Sequence, residues 1–333
     1  MPLDTFIRSL PKTETHLHIE GALPWPLLQT LDPERFEAIP ESWADDFKFK
    51  DFTQFETELI QYATAWYTSA ERYHEAAKAI FKHHLEQNVQ YVETSFASVM
   101  IEHMGIPGSE IATAIQSAAP AGLEVRVFLG LPRSGNLQRL QNLCDQALEW
   151  EALDGIDLHG VETITLDDWH RKFWPRARDA GKLTKAHAGE FGGADSIATV
   201  IDELGVRRIQ HGVQAIEDEK VIHKLRTLDI TLDVCPISNV KLGVVKSLTQ
   251  HPIRQLHNAG IRCTLSTDDP ISFGNTLEKE YRALATELNF TQRELTQIAR
   301  NGFEIALMDS SQKKSYLSYF DHILGQPDVS TKT

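Results

Sequence analysis

Eight short runs rich in β-branched, aromatic and other apolar residues recur along this chain, separated by stretches with helical spacing, and that alternation constrains the fold more than any other feature. The runs are TETHLH (13–18), VQYVETSF (89–96), LEVRVFLGL (123–131), GIDLHG (155–160), KLTKAHA (182–188), RRIQHG (207–212), ITLDVCP (230–236) and IRCTLST (261–267). Between them lie helix-like segments such as NLQRLQNLCDQALEWEAL (136–153), DSIATVIDELG (195–205) and EDEKVIHKLRTLD (217–229). The second opens on Asp195, expected as its N-cap, and stops at Gly205. Strands that alternate with helices form a parallel sheet, and eight of them predict a (β/α)8 TIM-type barrel. Such a barrel runs to about 250 residues and tolerates insertions. The 333 residues therefore fit one domain over 1–333.

The spacing is uneven once. Residues 21–88 separate the first two runs, far more than a crossover needs, and FTQFETELIQYATAWY and SAERYHEAAKAIFKHHLEQN both carry apolar residues at helical spacing. An inserted helical segment after the first strand is expected there, as a lid or flank. Two further helical stretches, NTLEKEYRALATEL and TQRELTQIARNGFEIALM, precede a polar tail at about 325–333.

Composition removes several function classes. A formal charge of −14 with no Lys/Arg run disfavours nucleic acid, whose phosphates would be repelled. No run approaches the roughly 18 apolar residues of a membrane helix, and MPLDTFIRSLPK lacks the apolar stretch of a secretory signal. Cys144, Cys235 and Cys263 are scattered, without C-x-x-C spacing, which fits a reducing compartment. A soluble cytoplasmic protein acting on a small molecule is expected; nothing in the sequence fixes its number of subunits.

The chemistry-bearing residues gather at the expected strand exits. Side chains on a strand alternate between faces, so His16 and His18 share one. Two imidazoles on one face can hold a metal, and barrel enzymes place their sites at the C-terminal ends of the strands. KLTKAHAGE brings His187 and Glu190 to such an exit, RRIQHG brings His211, and CTLSTDDP brings Asp268 and Asp269. By contrast His74, His83, His84, His170, His223, His251 and His257 read as helix or loop residues without such a role. His16, His18, His187 and Asp268 make an N3O donor set that suits one Zn2+ with a position left for water. Zinc lowers the pKa of that water from ~15.7 to near ~7, so hydrolysis is the natural use.

HLHIEG, HAGE, IQHG, CPISNV and STDDP, in this order, resemble the adenosine/adenine deaminases of the amidohydrolase superfamily over nearly the whole chain. The resemblance implies zinc on His16, His18, His187 and Asp268, and Glu190 as the acid that protonates a purine ring nitrogen. It implies His211 as the residue that orients and helps deprotonate the water, and Asp269 as the carboxyl that grips the purine at N7. It also implies the Gly160 backbone amide as a purine contact. Pleat alternation would send Asp268 to the metal and Asp269 to the substrate. An acid staying protonated at pH 7 from an ordinary value near ~4.3 needs a rise of about 3 units, which burial can supply.

Two positions depart from the family pattern. Glu20 stands where adenosine deaminases commonly carry the Asp that reaches toward the ribose, and Ser95 stands where many relatives have Arg. The longer acid either reaches a sugar hydroxyl or fills the space a sugar would need. CPISNVKL looks closer to the adenine branch and STDDPISFGNTL to the nucleoside branch. The expected reaction is hydrolytic deamination of a 6-aminopurine, adenosine first, with adenine or a modified adenosine behind it. Two other readings compete. One is a binuclear amidohydrolase whose metals are bridged by a strand lysine, Lys182 or Lys185; the other is a silent purine-binding protein.

Overall fold

The computed structural model describes residues 1–134 and 137–326. Eight strands, β1 (Lys12–His18), β2 (Val89–Ala97), β3 (Glu124–Pro132), β4 (Gly155–His159), β5 (Leu183–Ala188), β6 (Arg208–His211), β7 (Thr231–Val234) and β8 (Arg262–Leu265), form one sheet in chain order. Every neighbouring pair is parallel. A bridge between Leu17 and Asp268 brings the end of β8 back to β1, with Asp268 N–H on the His16 carbonyl and His18 N–H on the Asp268 carbonyl, both at 3.1 Å. The expected (β/α)8 barrel is therefore present, and each of its eight predicted runs is a strand. The seventh ends earlier than expected because Pro236, which has no N–H for the ladder, starts the helix Pro236–Lys241 instead.

Barrel strands are buried on both faces, which is why short, dense apolar runs mark them. Outward residues such as Ile209, Leu232 and Val234 pack under the helices in the main core. The inward layer below the cavity is ionic. Arg208 reaches Glu93 at 3.0 Å and Asp233 at 2.7 Å, and Lys185 pairs with Glu93 and donates to the Thr15 carbonyl at 2.8 Å. Burial alone would raise the Glu93 carboxyl, but the Arg208 and Lys185 charges prevail and hold it at about 2. A depressed carboxyl stabilises the fold above its unfolded value of 4.5, and that contribution drains away as pH falls through about 2. Glu93→Gln is expected to lose roughly 3 kcal/mol at pH 7, because it strands the buried Lys185 and leaves Arg208 with Asp233 alone. Denaturant unfolding across the acid range should show a shallower decline for the variant than for the wild type.

β1 carries an irregularity that sequence periodicity does not show. Glu14 pairs with Val92 and Leu17 with Thr94, so one extra residue sits in β1 between them. Consecutive residues Thr15 and His16 both turn inward as a result: Thr15 Oγ1 donates to Asp233 Oδ1 at 3.0 Å, and His16 lies in a His/Asp cluster above. Glu14 faces outward and accepts from the Thr267 amide and hydroxyl, both at 3.0 Å, which ties the β8 exit to β1.

Between β1 and β2 the chain forms the helices Trp25–Leu31, Phe52–Trp66 and Ala70–Glu86. Asp51 and Ser69 cap the last two by accepting from the Gln54 and Arg72 amides. Tyr67 donates to the Ile19 carbonyl at 2.6 Å and Tyr73 to Glu20 Oε1 at 2.9 Å, so this segment is pinned to the exit of β1. One cap differs from expectation. The helix Gly193–Thr199 starts after Gly192, and Asp195 lies in its first turn. The Glu162 carboxylate, from the connection after β4, takes the free amides ahead of that helix and leaves Asp195 no capping role. Asn136 and residues 327–333, most of the expected polar tail, lie outside the described residues. No described helix is long and apolar enough to cross a membrane.

Candidate active site

The exits of β1, β5 and β8 bring His16, His18, His187 and Asp268 into one buried cluster whose ligand atoms lie within 4.8 Å of one another. His16 Nε2 is 3.0 Å from His187 Nε2 and 3.4 Å from His18 Nε2, and Asp268 Oδ1 is 3.2 Å from both His16 and His18. Each Nδ1 has an outer partner. His16 faces the Asp233 carbonyl at 3.3 Å, His187 the Leu158 carbonyl at 3.0 Å and His18 the Ser95 hydroxyl at 3.1 Å. Nδ1–H donation to the two carbonyls leaves the Nε2 lone pairs of His16 and His187 aimed at each other, an arrangement that a shared cation relieves. Ser95 thus orients the His18 ring. Asp268 Oδ2 accepts from Ser238 Oγ at 2.7 Å, which turns Oδ1 toward the imidazoles.

The field at this point also favours a cation. Burial opposes charge on His18, yet Asp269, Asp268 and Asp157 together raise its imidazole to about 9. His211 and Asp268 hold left-handed backbone, with φ of 64° and 68°, a conformation costly for residues other than glycine. Such strain concentrates at functional sites, and here it falls on Asp268 of the cluster and on His211 beside it.

Glu190 sits across from these ligands, reached through the turn at Gly189, whose φ is 72°. Glu162 accepts from the amides of Gly189, Glu190 and Gly192 at 2.8–2.9 Å and from Ser196 Oγ at 3.0 Å, so one carboxylate holds the whole loop. Burial, followed by the negative charges of Asp268, Glu162 and Asp269, pushes the Glu190 carboxyl well above the usual range. Asn239 Nδ2 lies 3.3 Å from Glu190 Oε1 and 3.1 Å from His211 Nδ1, while His211 Nε2 lies 3.6 Å from Glu190 Oε2.

Asp269 is buried, and its Oδ1 has no protein partner. Burial is the chief cause of its raised carboxyl, and Asp268 adds to it. Pleat alternation does not separate the two aspartates, because β8 ends at Leu265; both follow the strand, and the left-handed turn at Asp268 parts them. Gly21 makes room for Asp269: a Cβ there would lie 1.6 Å from Oδ1. Glu20 accepts from Tyr73 and from the Ala97 amide at 3.2 Å, and burial raises it to about 7. Gly160, with φ of 93°, lines the same cavity.

This cavity has a volume of about 530 Å³, inside the usual range for small-molecule sites. Among the described residues that line it are six carboxylates, Glu20, Glu56, Glu162, Glu190, Asp268 and Asp269, and no lysine or arginine. Its outer part is apolar, with Phe52, Ile60, Val99, Val161 and Phe191. His159 also lines it, with its ring centroid 4.7 Å from that of His18 and 4.8 Å from that of His187. Gly130 on β3 leaves space for that ring, since a Cβ there would approach it to 2.2 Å. Sequence reasoning assigned no role to His159, Glu162, Ser238, Asn239 or His251. GIDLHG, HGVE and CPISNV contained the first four in plain view.

The lysines of the binuclear reading are engaged elsewhere. Lys185 points into the ionic layer described above, and Lys182 Nζ donates to the Trp150 and Leu153 carbonyls at 2.9 and 2.7 Å.

Three imidazoles and a carboxylate converging at the strand exits of a barrel, faced by an acid whose carboxyl burial pushes up, suit the chemistry of a metal-dependent hydrolase. The sequence profile of the adenosine deaminase family matches residues 11–323. An adenine deaminase of Chlorobium phaeobacteroides is 30% identical over 326 residues, 95% of this chain and 97% of that one. A crystal structure of adenine deaminase from Arthrobacter aurescens superposes with a TM-score of 0.83 at 23% identity, over 95% of this chain and 100% of that one. An amidohydrolase from Burkhoderia ambifaria with bound Zn superposes with a TM-score of 0.81 at 21% identity, over 98% and 93%. The chain belongs to the adenosine deaminase family. It is a hydrolase that deaminates a purine.

Proposed function

We propose that this chain converts adenine and water to hypoxanthine and ammonia, with one zinc ion held by His16, His18, His187 and Asp268. The convergence of those four side chains opposite a protonated Glu190 carries the reading. Zinc held by these four side chains would supply a water activated for attack on C6.

The chain's own residues supply the rest. Asp269, raised and unpartnered at Oδ1, offers a hydrogen bond to purine N7, and Gly160 offers its backbone amide. Asn239 faces Glu190 Oε1, so the transferable proton sits on Oε2. Glu190 gives that proton to the ring nitrogen beside C6 as the C–O bond forms, which keeps negative charge out of the purine. His211 orients the incoming water. The carboxylate left on Glu190 takes the proton that the water loses and passes it to the amino group, the C–N bond breaks and ammonia leaves, and the remaining hydroxyl proton restores the acid as C6=O forms.

Adenine is placed ahead of the adenosine first expected because the adenine deaminase relative aligns over nearly its whole length. Glu20 supports this order. Its carboxyl lines the cavity close enough to Asp269 for their charges to interact, and it can accept the N–H that a free base has and a nucleoside lacks. The cavity volume leaves room for adenosine as a second substrate. A phosphate extending past the purine would meet an acidic lining without lysine or arginine. In an absorbance assay on zinc-loaded enzyme, kcat/KM is expected to rank adenine above adenosine, with AMP at least about 10²-fold below adenine. Equal turnover of AMP would remove the charge argument, and no turnover of any of the three would remove the substrate class. Cys144, Cys235 and Cys263 are all free and buried, which supports a cytoplasmic setting.

A further inference from the structure

Behind His211 runs a chain of hydrogen bonds that neither the metal nor the substrate requires. The Ile253 amide lies 3.1 Å from His251 Nδ1, His251 Nε2 lies 3.1 Å from Asn239 Oδ1, and Asn239 Nδ2 lies 3.1 Å from His211 Nδ1. We propose that Asn239 and His251 are positioning residues that lock His211 in the tautomer with its proton on Nε2. His211 then acts as a fixed hydrogen-bond donor to the attacking water, and the proton that water loses goes to the Glu190 carboxylate left when the ring nitrogen is protonated.

The assignment follows from the one group in the chain whose polarity is certain. A backbone N–H only donates, so His251 Nδ1 is an acceptor and carries no proton. Burial pushes the His251 imidazole down to about 3, so the ring is neutral at pH 7 and its single proton is on Nε2. That proton points at the Asn239 side chain, whose oxygen must face it. The amide NH2 is thereby turned the other way. One of its hydrogens goes to Glu190 Oε1 and the other to His211 Nδ1.

His211 Nδ1 is therefore an acceptor in its turn, and a neutral His211 carries its proton on Nε2. That atom faces Glu190 Oε2 at 3.6 Å and Asp268 Oδ2 at 3.9 Å, the side on which the water must lie. The opposite tautomer would bring Nδ1–H against an Asn239 N–H, two donors at 3.1 Å with no acceptor between them. Each link is buried, so water cannot substitute for a missing partner. The backbone holds Asn239 as well, because its amide reaches the Cys235 carbonyl at 3.0 Å and its carbonyl accepts from Val245 at 3.1 Å. The same Asn239 amide fixes which oxygen of Glu190 is free to carry the proton, so one side chain sets both groups that face the water.

The test reads tautomers directly, by 15N NMR of the zinc-loaded full chain labelled in histidine. In the wild type, His211 Nδ1 is expected to show the shift of a bare nitrogen and Nε2 that of an N–H. His251→Leu removes the donor that orients Asn239. It is expected to give mixed His211 tautomers and to lower kcat about tenfold or more, with KM little changed. His251→Gln can still donate to Asn239 Oδ1 and should restore both readouts. A protonated His211 Nδ1 in the wild type would overturn the proposal without any variant. So would a His251→Leu enzyme whose tautomer and kcat match the wild type, or a His251→Gln enzyme as impaired as His251→Leu. The kinetic half rests on the deaminase reading and the spectroscopic half does not, so loss of all turnover would leave the tautomer still legible.

Discussion

Glu190→Gln is expected to lower kcat by about 10²–10⁴ while metal content and binding of a purine inhibitor stay near wild-type values. Gln keeps the shape and can still accept from Asn239 at one atom, but it has no proton to give to the ring nitrogen. The expected split follows from position. Glu190 is absent from the set His16, His18, His187 and Asp268, so its loss should leave the ion in place. Its loop is held by Glu162 through backbone amides, which the substitution leaves alone. Steady-state kinetics beside metal analysis and inhibitor titration would check both halves. Unchanged turnover would remove Glu190 from the mechanism, and a loss of metal in parallel with activity would make it a ligand instead.

Removal of a ligand is expected to reverse that pattern. His187→Ala and Asp268→Ala should purify with far less than one metal per chain and with activity reduced below that of Glu190→Gln. Each leaves three donors at most, and the barrel should still fold, because the strand ladders around both positions are backbone bonds. Ser238→Ala gives a graded comparison. Its hydroxyl lies 2.7 Å from Asp268 Oδ2, and loss of such an outer partner typically costs about 10–100-fold in metal affinity. Chelator competition on the wild type and the three variants should therefore order them with Ser238→Ala between wild type and the two ligand variants. A Ser238→Ala protein that holds metal as tightly as the wild type would show that Asp268 needs no orienting partner.

The fold was legible because its signal is local. Runs such as ITLDVCP and IRCTLST are short, apolar and β-branched, and strands buried on both faces require such runs. The convergence of the candidate ligands was legible for a related reason: barrel topology places strand exits together, so histidines at the ends of TETHLH and KLTKAHA had to meet. What escaped depends on contacts between distant segments. The extra residue in β1 follows from its register against β2, and no periodicity in TETHLH records it. Asp195 has the chemistry of a cap but lost the role to Glu162, which arrives from another connection. The separation of Asp268 from Asp269 rests on a left-handed backbone turn, a conformation that an Asp-Asp pair does not announce. His251 read as an ordinary loop histidine because its partner Asn239 lies on a different helix and its consequence appears one residue further on, at His211.

The central claim is a single cation gripped by three imidazole nitrogens and one carboxylate oxygen beneath a purine site. Zinc-edge anomalous diffraction from crystals of the zinc-loaded enzyme tests it most directly. The account predicts one anomalous peak per chain, within coordination distance of Nε2 of His16, His18 and His187 and of Oδ1 of Asp268, at about 2.0–2.2 Å. Two peaks bridged by a lysine, or a single peak whose neighbours are not these four side chains, would contradict it.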